Sequence, residues 1–211
     1  MGGSAERSNA ARSEAARERV LHAALRAMAA NGYQGSSLAS IATGAGLTTP
    51  GLLHHFPSKK DLLVALLEER DRRGSLETHL ADARGLEVLD RLHALAVENA
   101  RHPELVRAFT VLLGESAGEA HPALQWARER YPKLRGDLTA ALARGVDAGE
   151  IRPDVDLGAL ATQVIAMMDG LQVQWVLNPG EVDMVALLAG YFDGLRALLR
   201  VPAEGSSRPA I

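Results

Sequence analysis

The chain of 211 residues contains no cysteine, and aromatic residues make up only 4% of it. Without cysteine, neither disulfides nor thiolate metal sites can form, which fits a reducing cytoplasm. No apolar run reaches the roughly 18 residues that a bilayer-spanning helix needs, and the polar N-terminus lacks the apolar core of a signal peptide. We therefore expect a cytoplasmic protein with no membrane partner.

The sequence also lacks the alternation of polar and apolar residues that is typical of strands, while leucine and alanine dominate it. These features predict an all-α protein of about nine helices. The longer predicted helices cover residues 13–31, 58–81, 85–100, 103–117, 121–148, 155–177 and 181–200. Two shorter ones lie between the first and second of these. Gly74 interrupts the helix at 58–81 and is expected to bend or loosen it.

Signatures of enzymes are missing as well. We find no nucleophile motif, no glycine-rich phosphate loop and no cluster of metal ligands, and the seven histidines have no matching partners. His54 and His55 are adjacent, but neighbouring residues on a helix point about 100° apart and do not converge on a metal. The sequence therefore predicts no enzyme, no cofactor and no metal site. A helical scaffold that binds no DNA is the other alternative.

The net charge of −3 is unevenly distributed. Residues 1–60 carry seven Lys/Arg and three Asp/Glu, a net of +4, whereas residues 61–211 carry 16 and 23, a net of −7. Clustered basic residues attract phosphates, and an acidic remainder repels DNA from the wrong face. This distribution indicates that the N-terminal part binds nucleic acid.

Residues 31–62 predict two short helices around a tight turn, with a third helix starting at once. Gly32 is expected to end the first long helix with a positive φ, and Gly46 to supply the turn. Thr49 is a plausible N-cap with Pro50 at the first helical position, and Ser58 starts an acidic capping box. One apolar face recurs at helical spacing: Leu38, Ile41, Ala42 and Ala45. This is the layout of a helix-turn-helix.

Helix-turn-helix spacing alone also fits two short helices of a bundle that binds no nucleic acid. Residues 19–63 narrow the choice, because they resemble the DNA-binding domain of the TetR family of bacterial transcription regulators. The resemblance rests on Ala24-Leu25, Asn31-Gly32-Tyr33, Ser37, Ile41-Ala42, Ala45-Gly46-Leu47-Thr48, Leu52, His54-His55-Phe56, Ser58-Lys59 and Leu62. It implies an N-terminal three-helix DNA-binding domain followed by a C-terminal helical domain that binds a ligand and dimerises.

The predicted organisation has four parts. Residues 1–12 are expected to be a disordered basic arm, either a solvated tail or one whose Arg7 and Arg12 touch phosphate or the minor groove. Residues 13–57 form the DNA-binding domain, and residues 58–200 form the ligand-binding and dimerisation domain. The Pro/Gly/Ser-rich residues 201–211 are expected to be a disordered tail.

The resemblance implies that a short recognition helix at 50–55 meets the base edges. Its implied contact positions are Thr48, Thr49, Gly51, Leu53 and His54. Phosphates would be held by Lys59 at a helix start and by Ser36 or Ser37, together with nearby backbone N–H groups. Such contacts set the position of the protein on DNA and not the sequence that it reads.

Two of these positions depart from the family pattern. A Thr or similar polar residue is common where this chain has Gly51, and a Tyr is common where it has Leu53. Leu53 cannot donate a hydrogen bond, but it can pack on a thymine methyl or a sugar. Alternatively, it joins the core. Direct hydrogen-bond reading would then fall mainly on Thr48, Thr49 and His54, with some reliance on DNA shape.

The last two predicted helices, at 155–177 and 181–200, are apolar on more than one side and are therefore buried on more than one side. One copy could bury them centrally, but a chain-terminal pair more simply packs against a second copy. In the resembled family, the final two helices form a four-helix dimer interface. The two heads of a homodimer would then reach two half-sites of a near-palindromic DNA operator.

Polar and aromatic residues between 85 and 177 could line a small-molecule site with mostly apolar walls. The wall residues that we expect are Phe109, Trp126, Met168, Gln172 and Trp175. The alternative is that these side chains simply fill the core. The resemblance implies some pocket, but it does not identify the residues that line it.

The expected function is that of a ligand-responsive transcription regulator. Repression is the usual mode of the resembled family, while activation stays an alternative. Binding of a small, largely apolar effector would tilt the helix at 58–81 like a lever and change the distance between the two heads. Because half-sites one helical turn apart tolerate little mismatch, the dimer would then leave the operator.

Overall fold

The computed structural model describes residues 3–73, 80, 82–118 and 121–201. Nine helices account for the regular structure of these ranges, where the one β feature is an isolated bridge between Ile151 and Arg200. The helices are α1 (Gly3–Gly35), α2 (Leu38–Gly44), α3 (Thr49–His55), α4 (Lys59–Arg73), α5 (Glu87–Ala100), α6 (Pro103–Ser116), α7 (Leu124–Asp147), α8 (Leu157–Leu177) and α9 (Met184–Leu199). The all-α prediction is confirmed.

The helices from α5 onwards begin and end within three residues of their predicted bounds. Helix α4 is described only to Arg73, so the predicted continuation to residue 81, with its interruption at Gly74, lies largely outside the described residues. The tail predicted to be disordered lies outside them from residue 202 onwards. No helix within the described ranges is both long and apolar enough to cross a membrane.

Helix α1 corrects the prediction of a disordered arm. It begins at Gly3 and not at residue 13, so residues 3–12 are helical. Ala5, Glu6, Ala10 and Ala11 are strong helix formers, and their propensity extends the helix although this stretch lacks an apolar stripe. Residues 1 and 2 of the predicted arm lie outside the described residues.

The chain forms two compact units that are not contiguous in sequence. The first contains Met1–Gly74 and His102–Glu129, and the second contains Ser75–Arg101 and Arg130–Ile211. Helix α6 therefore belongs to the same unit as the helix-turn-helix, and α7 contributes residues to both units. The resemblance implies a different division, at residue 57, between a DNA-binding domain and a ligand-binding domain. This division by function stays a prediction.

The core of the first unit is built from α1, α2, α3, α4 and α6. Its largest fully buried side chains are Met28, Ile41, Leu52, Leu62, Leu63, Leu67, Phe109 and Leu112. Full burial of one such side chain stabilises the fold by about 1.5–3 kcal/mol. The short helices α2 and α3 contribute Ile41 and Leu52, so this core fixes the helix-turn-helix against α1.

The core of the second unit joins α5, α7, α8 and α9. Gly85 has a φ of +56°, and its Cα lies so close to Gly145 that a methyl group on either residue would clash. The guanidinium of Arg144 donates to the carbonyls of Leu80 and Ala83, the latter at 2.7 Å. The Glu150 carboxylate accepts the backbone N–H of Leu86 at 3.1 Å. These contacts fix the position of the chain where α5 begins.

Candidate nucleic-acid interface

The helix-turn-helix is held by short-range caps. Ser37 caps α2, because its hydroxyl accepts the Ser40 N–H at 3.0 Å. Gly46 makes the turn with a φ of +69°. Thr48 caps α3 by accepting the Gly51 N–H at 3.2 Å, with Pro50 in the first turn. The predicted N-cap at Thr49 is therefore wrong by one residue. Proline is tolerated at more than one position in the first turn of a helix, so Pro50 does not indicate which of the preceding threonines is the cap.

Ser36 does not lie where a phosphate contact would need it. Its side chain is buried, and its hydroxyl donates to the Gly32 carbonyl at 2.7 Å. The carbonyl loses its helical partner at the kink in α1, and Ser36 supplies a replacement. Of the two alternatives, Ser36 or Ser37, only Ser37 is exposed at the surface.

The two adjacent leucines of α3 have opposite environments. Leu52 is fully buried, whereas Leu53 is 36% exposed. The alternative that Leu53 joins the core is therefore wrong. His54 and Thr48 are exposed and Thr49 is half-buried, so the recognition residues predicted to donate hydrogen bonds are at least partly accessible.

Gly51 has a structural reason that the family pattern does not reveal. A Cβ at this position would lie 3.3 Å from the hydroxyl oxygen of Thr48 and 3.9 Å from Cβ of Leu47. A larger residue would thus press on the hydroxyl that caps α3. Glycine at this position therefore leaves the start of α3 undisturbed.

Lys59 is fixed to the end of α1. Its ammonium lies 4.4 Å from the ring centroid of Tyr33 and donates to the Gln34 carbonyl at 3.5 Å. Burial lowers the pKa of Lys59 from its ordinary value, and the nearby Glu115 carboxylate partly opposes this shift. The next residue, Lys60, is exposed. The start of α4 therefore carries two cations: Lys59, which contacts the end of α1, and Lys60, which is exposed.

Two arginines of α1 have structural contacts that sequence reasoning missed. The Arg17 guanidinium lies 5.0 Å from the ring centroid of Phe56, and Nε of Arg19 donates to the Ala45 carbonyl at 3.3 Å. They attach α1 to the ends of α3 and α2 while keeping positive charge in this region. No local pattern reveals these partners, which lie 39 and 26 residues away along the chain.

The five predicted pocket residues do not fall into one cluster. Phe109 and Trp126 belong to the first unit, where their rings meet edge to face at 6.0 Å. Arg70 stacks 3.6 Å above the Phe109 ring. A cleft beside them is lined by Leu25, Leu66, Leu67, Arg70, Leu105, Ala108, Phe109 and Leu112. Its empty volume, open solvent included, is about 180 Å³.

Met168, Gln172 and Trp175 lie on α8 in the second unit. Their i, i+4, i+7 spacing places them on one helix face, and Gln172 is 7% exposed. The neighbouring Asp169 accepts a hydrogen bond from the Tyr131 hydroxyl at 2.7 Å. Sequence reasoning missed this pair, because the two residues are 38 positions apart and show no shared motif.

Two further polar atoms of the second unit are buried without partners. Nε2 of His93 and Oδ2 of Asp137 have no hydrogen-bond partner among the residues that the structure describes. Unpaired buried polar atoms are costly unless a water, an ion or a ligand satisfies them. They are additional candidates for groups that face an effector.

Helices α8 and α9 expose large apolar side chains. These are Met167, Val173, Leu177, Leu187 and Leu198, with exposed fractions from 39% to 70%. Apolar exposure concentrated on one pair of helices is typical of an interaction surface. The predicted dimer contact uses the same two helices.

Comparison with known proteins agrees with this arrangement of a helix-turn-helix and a helical remainder. The family model described as "Bacterial regulatory proteins, tetR family" matches residues 20–66, and "BetI-type transcriptional repressor, C-terminal" matches residues 87–200. Together they cover the head and most of the remaining helices. They define a DNA-binding regulator of transcription.

The relatives point the same way. The regulator TtgR of Pseudomonas putida is 28% identical over 200 residues, covering 89% of this chain and 93% of its own. The crystal structure of FadR from Bacillus subtilis with stearoyl-CoA has a TM-score of 0.73, 23% identity, and coverage of 85% and 97%. SmeT, repressor of a multidrug efflux pump in Stenotrophomonas maltophilia, has a TM-score of 0.70, 20% identity, and coverage of 92% and 96%.

The chain belongs to the TetR family of bacterial transcription regulators. The family consists of transcription regulators and not of enzymes, so the enzyme alternative is set aside. The DNA-binding head lies at the N-terminus, as the resemblance implied.

Proposed function

We propose that this protein is a cytoplasmic repressor that binds a near-palindromic DNA operator as a homodimer and leaves it when a small, largely apolar effector binds. The observation that carries the proposal is the division of α3: Leu52 is buried in the head, while Leu53 and His54 point outward beside Thr48. A short helix anchored on one side and accessible on the other fits the major groove.

In this proposal, base reading relies on Thr48, Thr49 and His54, while Leu53 packs on a thymine methyl or a sugar. Ser37 and Lys59 hold phosphates, and Gly51 lets the backbone approach the DNA. The apolar face of α8 and α9 joins two copies, which supports a palindromic operator because a twofold dimer presents two identical heads.

The effector would be bound mainly by apolar walls, as stearoyl-CoA is a ligand of the related FadR structure. Within the first unit the proposed wall residues are Phe109 and Trp126, and within the second unit they are Met168, Gln172 and Trp175. His93 and Asp137 are added as polar groups that an effector could satisfy.

DNA binding is tested by selecting duplexes from a random-sequence pool with the full-length protein. The enriched sequences are expected to be near-palindromic, and their affinity should fall steeply with salt. Each phosphate contact contributes roughly −0.9 to the slope of log K against log salt. Lys59→Ala should therefore flatten the slope by about 0.9, the contribution of one phosphate contact. Lys133→Ala, in the second unit, is the control and should leave the slope unchanged.

Release is tested with stearoyl-CoA as the first probe. An effector must raise the dissociation constant of the selected duplex in proportion to its own preference for the released state. A compound that binds tightly but leaves DNA affinity unchanged would overturn the release mechanism. A pool from which the protein enriches no duplex would overturn the proposed function itself.

A further inference from the structure

The joint between α1 and α2 (Gly32 to Ser37, called the α1–α2 joint) is held by a residue far away in sequence. Gly32 has a φ of +68° and a ψ of −177°, which breaks α1. The Tyr33 N–H donates at 2.7 Å to Oε2 of Glu115, in the last turn of α6 and 82 positions away. A hydrogen bond to an ionised acceptor is stronger than one between neutral groups.

Glu115 lies so close to Gly32 that its carboxylate would have to move before a larger residue could stand at position 32. A Cβ built on Gly32 would overlap Oε1 of Glu115. The positive φ disfavours other residues in its own right, so two independent features favour glycine here. The carboxylate thus lies directly against the backbone at the point where the chain turns towards α2.

Other groups enclose the same contact from the neighbouring elements of the first unit. The His121 ring packs edge to face on Tyr33 at 5.2 Å, and its Nε2 lies 3.7 Å from Oε2 of Glu115. Lys59 of α4 lies over the Tyr33 ring and donates to the Gln34 carbonyl. The α1–α2 joint is therefore in contact with α4, with α6 and with the segment after α6.

Helix α6 also makes the most extensive helix-to-helix contact with α1 among the described residues. A displacement of α6 along α1 would thus move Glu115 and, through the Tyr33 N–H, the backbone that leads into α2 and α3. Glu115 is negatively charged, so direct contact with DNA phosphates would be repulsive. Its role must be exerted through the joint.

We infer that Glu115 is a positioning residue for DNA recognition: its contact with Gly32 and Tyr33 sets the direction in which α2 and α3 leave α1, and thereby the fit of the recognition helix to its operator. The inference rests on the proposed function, since it concerns how the head reads the operator. It assigns the role to the reach of the carboxylate and not to its charge.

Two conservative variants separate reach from charge. Glu115→Asp keeps the charge but shortens the side chain by one methylene. The shorter carboxylate can accept the Tyr33 N–H only if the α1–α2 joint shifts. Glu115→Gln keeps the length and an acceptor oxygen but loses the charge. Glu104→Asp is the matched control, because it makes the same shortening on the exposed first turn of α6.

The measured quantity is the ratio of dissociation constants for a scrambled duplex and for the selected operator, at one salt concentration. Glu115→Asp should reduce this ratio at least about tenfold, roughly the factor that one misread base pair costs. Glu115→Gln should stay within about threefold of wild type, and Glu104→Asp should not change it. Circular dichroism melting shows whether each variant is folded at the assay temperature.

Gly32→Ala perturbs the same contact from its other partner and keeps the test informative if Glu115→Asp does not fold. It should lower the ratio as well. Equal loss of affinity for both duplexes, a larger effect of Glu115→Gln than of Glu115→Asp, or a wild-type ratio in Gly32→Ala would each overturn the inference. These outcomes are distinct from failure of the proposed function, in which the wild-type protein itself enriches no operator.

Discussion

A carboxylate that accepts the N–H after a left-handed glycine occurs twice in this protein. Glu115 binds the amide after Gly32 in the first unit, and Glu150 binds the amide after Gly85 in the second. In both places a methyl group on the glycine would overlap the carboxylate. The local sequence of each glycine indicates only a helix boundary, because the carboxylate lies 82 or 64 positions from the amide that it binds.

Replacement of Gly32 by alanine should cost more stability than the same change at Gly46. Both glycines have nearly the same φ, +68° and +69°, but no described heavy atom lies within 4 Å of a Cβ at Gly46. Gly46→Ala should therefore cost the backbone strain alone, about 1–2 kcal/mol. Gly32→Ala should cost more, because the ψ of −177° at Gly32 lies in a region essentially confined to glycine, and because the methyl group displaces a charged acceptor whose hydrogen bond contributes about 1.5–3 kcal/mol. Urea unfolding measures both, and equal costs would contradict the steric argument.

The stability of the protein should fall as the pH is lowered from 7 towards 5. Burial lowers the pKa of His121, although the facing Glu115 carboxylate raises it in part, and the Tyr33 ring and Lys59 complete its surroundings. The unfolded chain, whose imidazole keeps an ordinary pKa, then takes up the proton first. The contribution of His121 to the free energy of unfolding is fully present above the pKa of the unfolded chain. It is lost as the pH falls through the pKa of His121 in the folded protein.

One histidine can contribute at most about 1.4 kcal/mol per pH unit to this slope. His121→Gln should flatten the dependence of the unfolding midpoint on pH between 5 and 7. The matched control is His22→Gln, since His22 is exposed on α1. If the control flattens the slope as much as His121→Gln does, the assignment to His121 is wrong.

At the scale of helices and turns, local signals predicted most of the architecture. The glycine at the break in α1, the turn at Gly46 and the serine half of the capping box occur as expected; the Ser58 hydroxyl accepts the Asp61 backbone N–H at 3.1 Å. These features depend on residues within four positions of one another, which a sequence displays directly.

The local predictions that failed depend on competing or distant effects. Helix propensity extended α1 to Gly3 without any apolar stripe. The choice between Ser36 and Ser37, which the sequence left open, is decided by packing, because Ser36 is buried and donates to the Gly32 carbonyl while Ser37 caps α2. The identity of the side chain could not decide between two adjacent serines, because either hydroxyl can cap a helix.

The start of α3 should depend on Thr48 and not on the neighbouring threonine. Thr48→Ala removes the oxygen that accepts the Gly51 N–H and should cost about 1 kcal/mol of stability, the typical cost of a lost N-cap. It should also weaken operator binding, since the recognition helix frays at its first turn. The control is Thr43→Ala, an exposed threonine whose hydroxyl only bonds back to the Ala39 carbonyl. Thermal unfolding with equal effects from both variants would contradict the cap assignment.

At the scale of the whole molecule, the apolar face of α8 and α9 is predicted to hold two copies together. Leu177 and Leu198 are 70% and 67% exposed, so replacing either by glutamate removes little buried surface of the single chain. Leu198→Glu should instead place a charge in the dimer contact and shift sedimentation from dimer to monomer at micromolar concentration. Ala94→Glu introduces the same charge on an exposed position of α5 and should leave the dimer intact.

The ligand site was the least predictable part at this scale. Aromatic and methionine side chains occur in cores and in pockets alike, and the five chosen residues divide between the two units. Asp137 and Tyr131 could not be found from sequence, because a buried unpaired oxygen or a tyrosine–aspartate pair exists only once the helices pack. The surface of α8 and α9 was predictable because its excess of apolar residues is visible without any packing.

The interleaved chain path of the first unit restricts how regulators of this kind can be recombined. Helix α6 shares one apolar core with α1 and α4, through Phe109 and Leu112. A hybrid protein that transplants residues 1–74 onto a foreign sensor would leave that core without its α6 wall and would bring Tyr33 without Glu115. Specificity exchange between such proteins therefore needs a cassette of two pieces, residues 1–74 together with 102–129, and a graft of the first piece alone should yield a head that aggregates or reads DNA poorly.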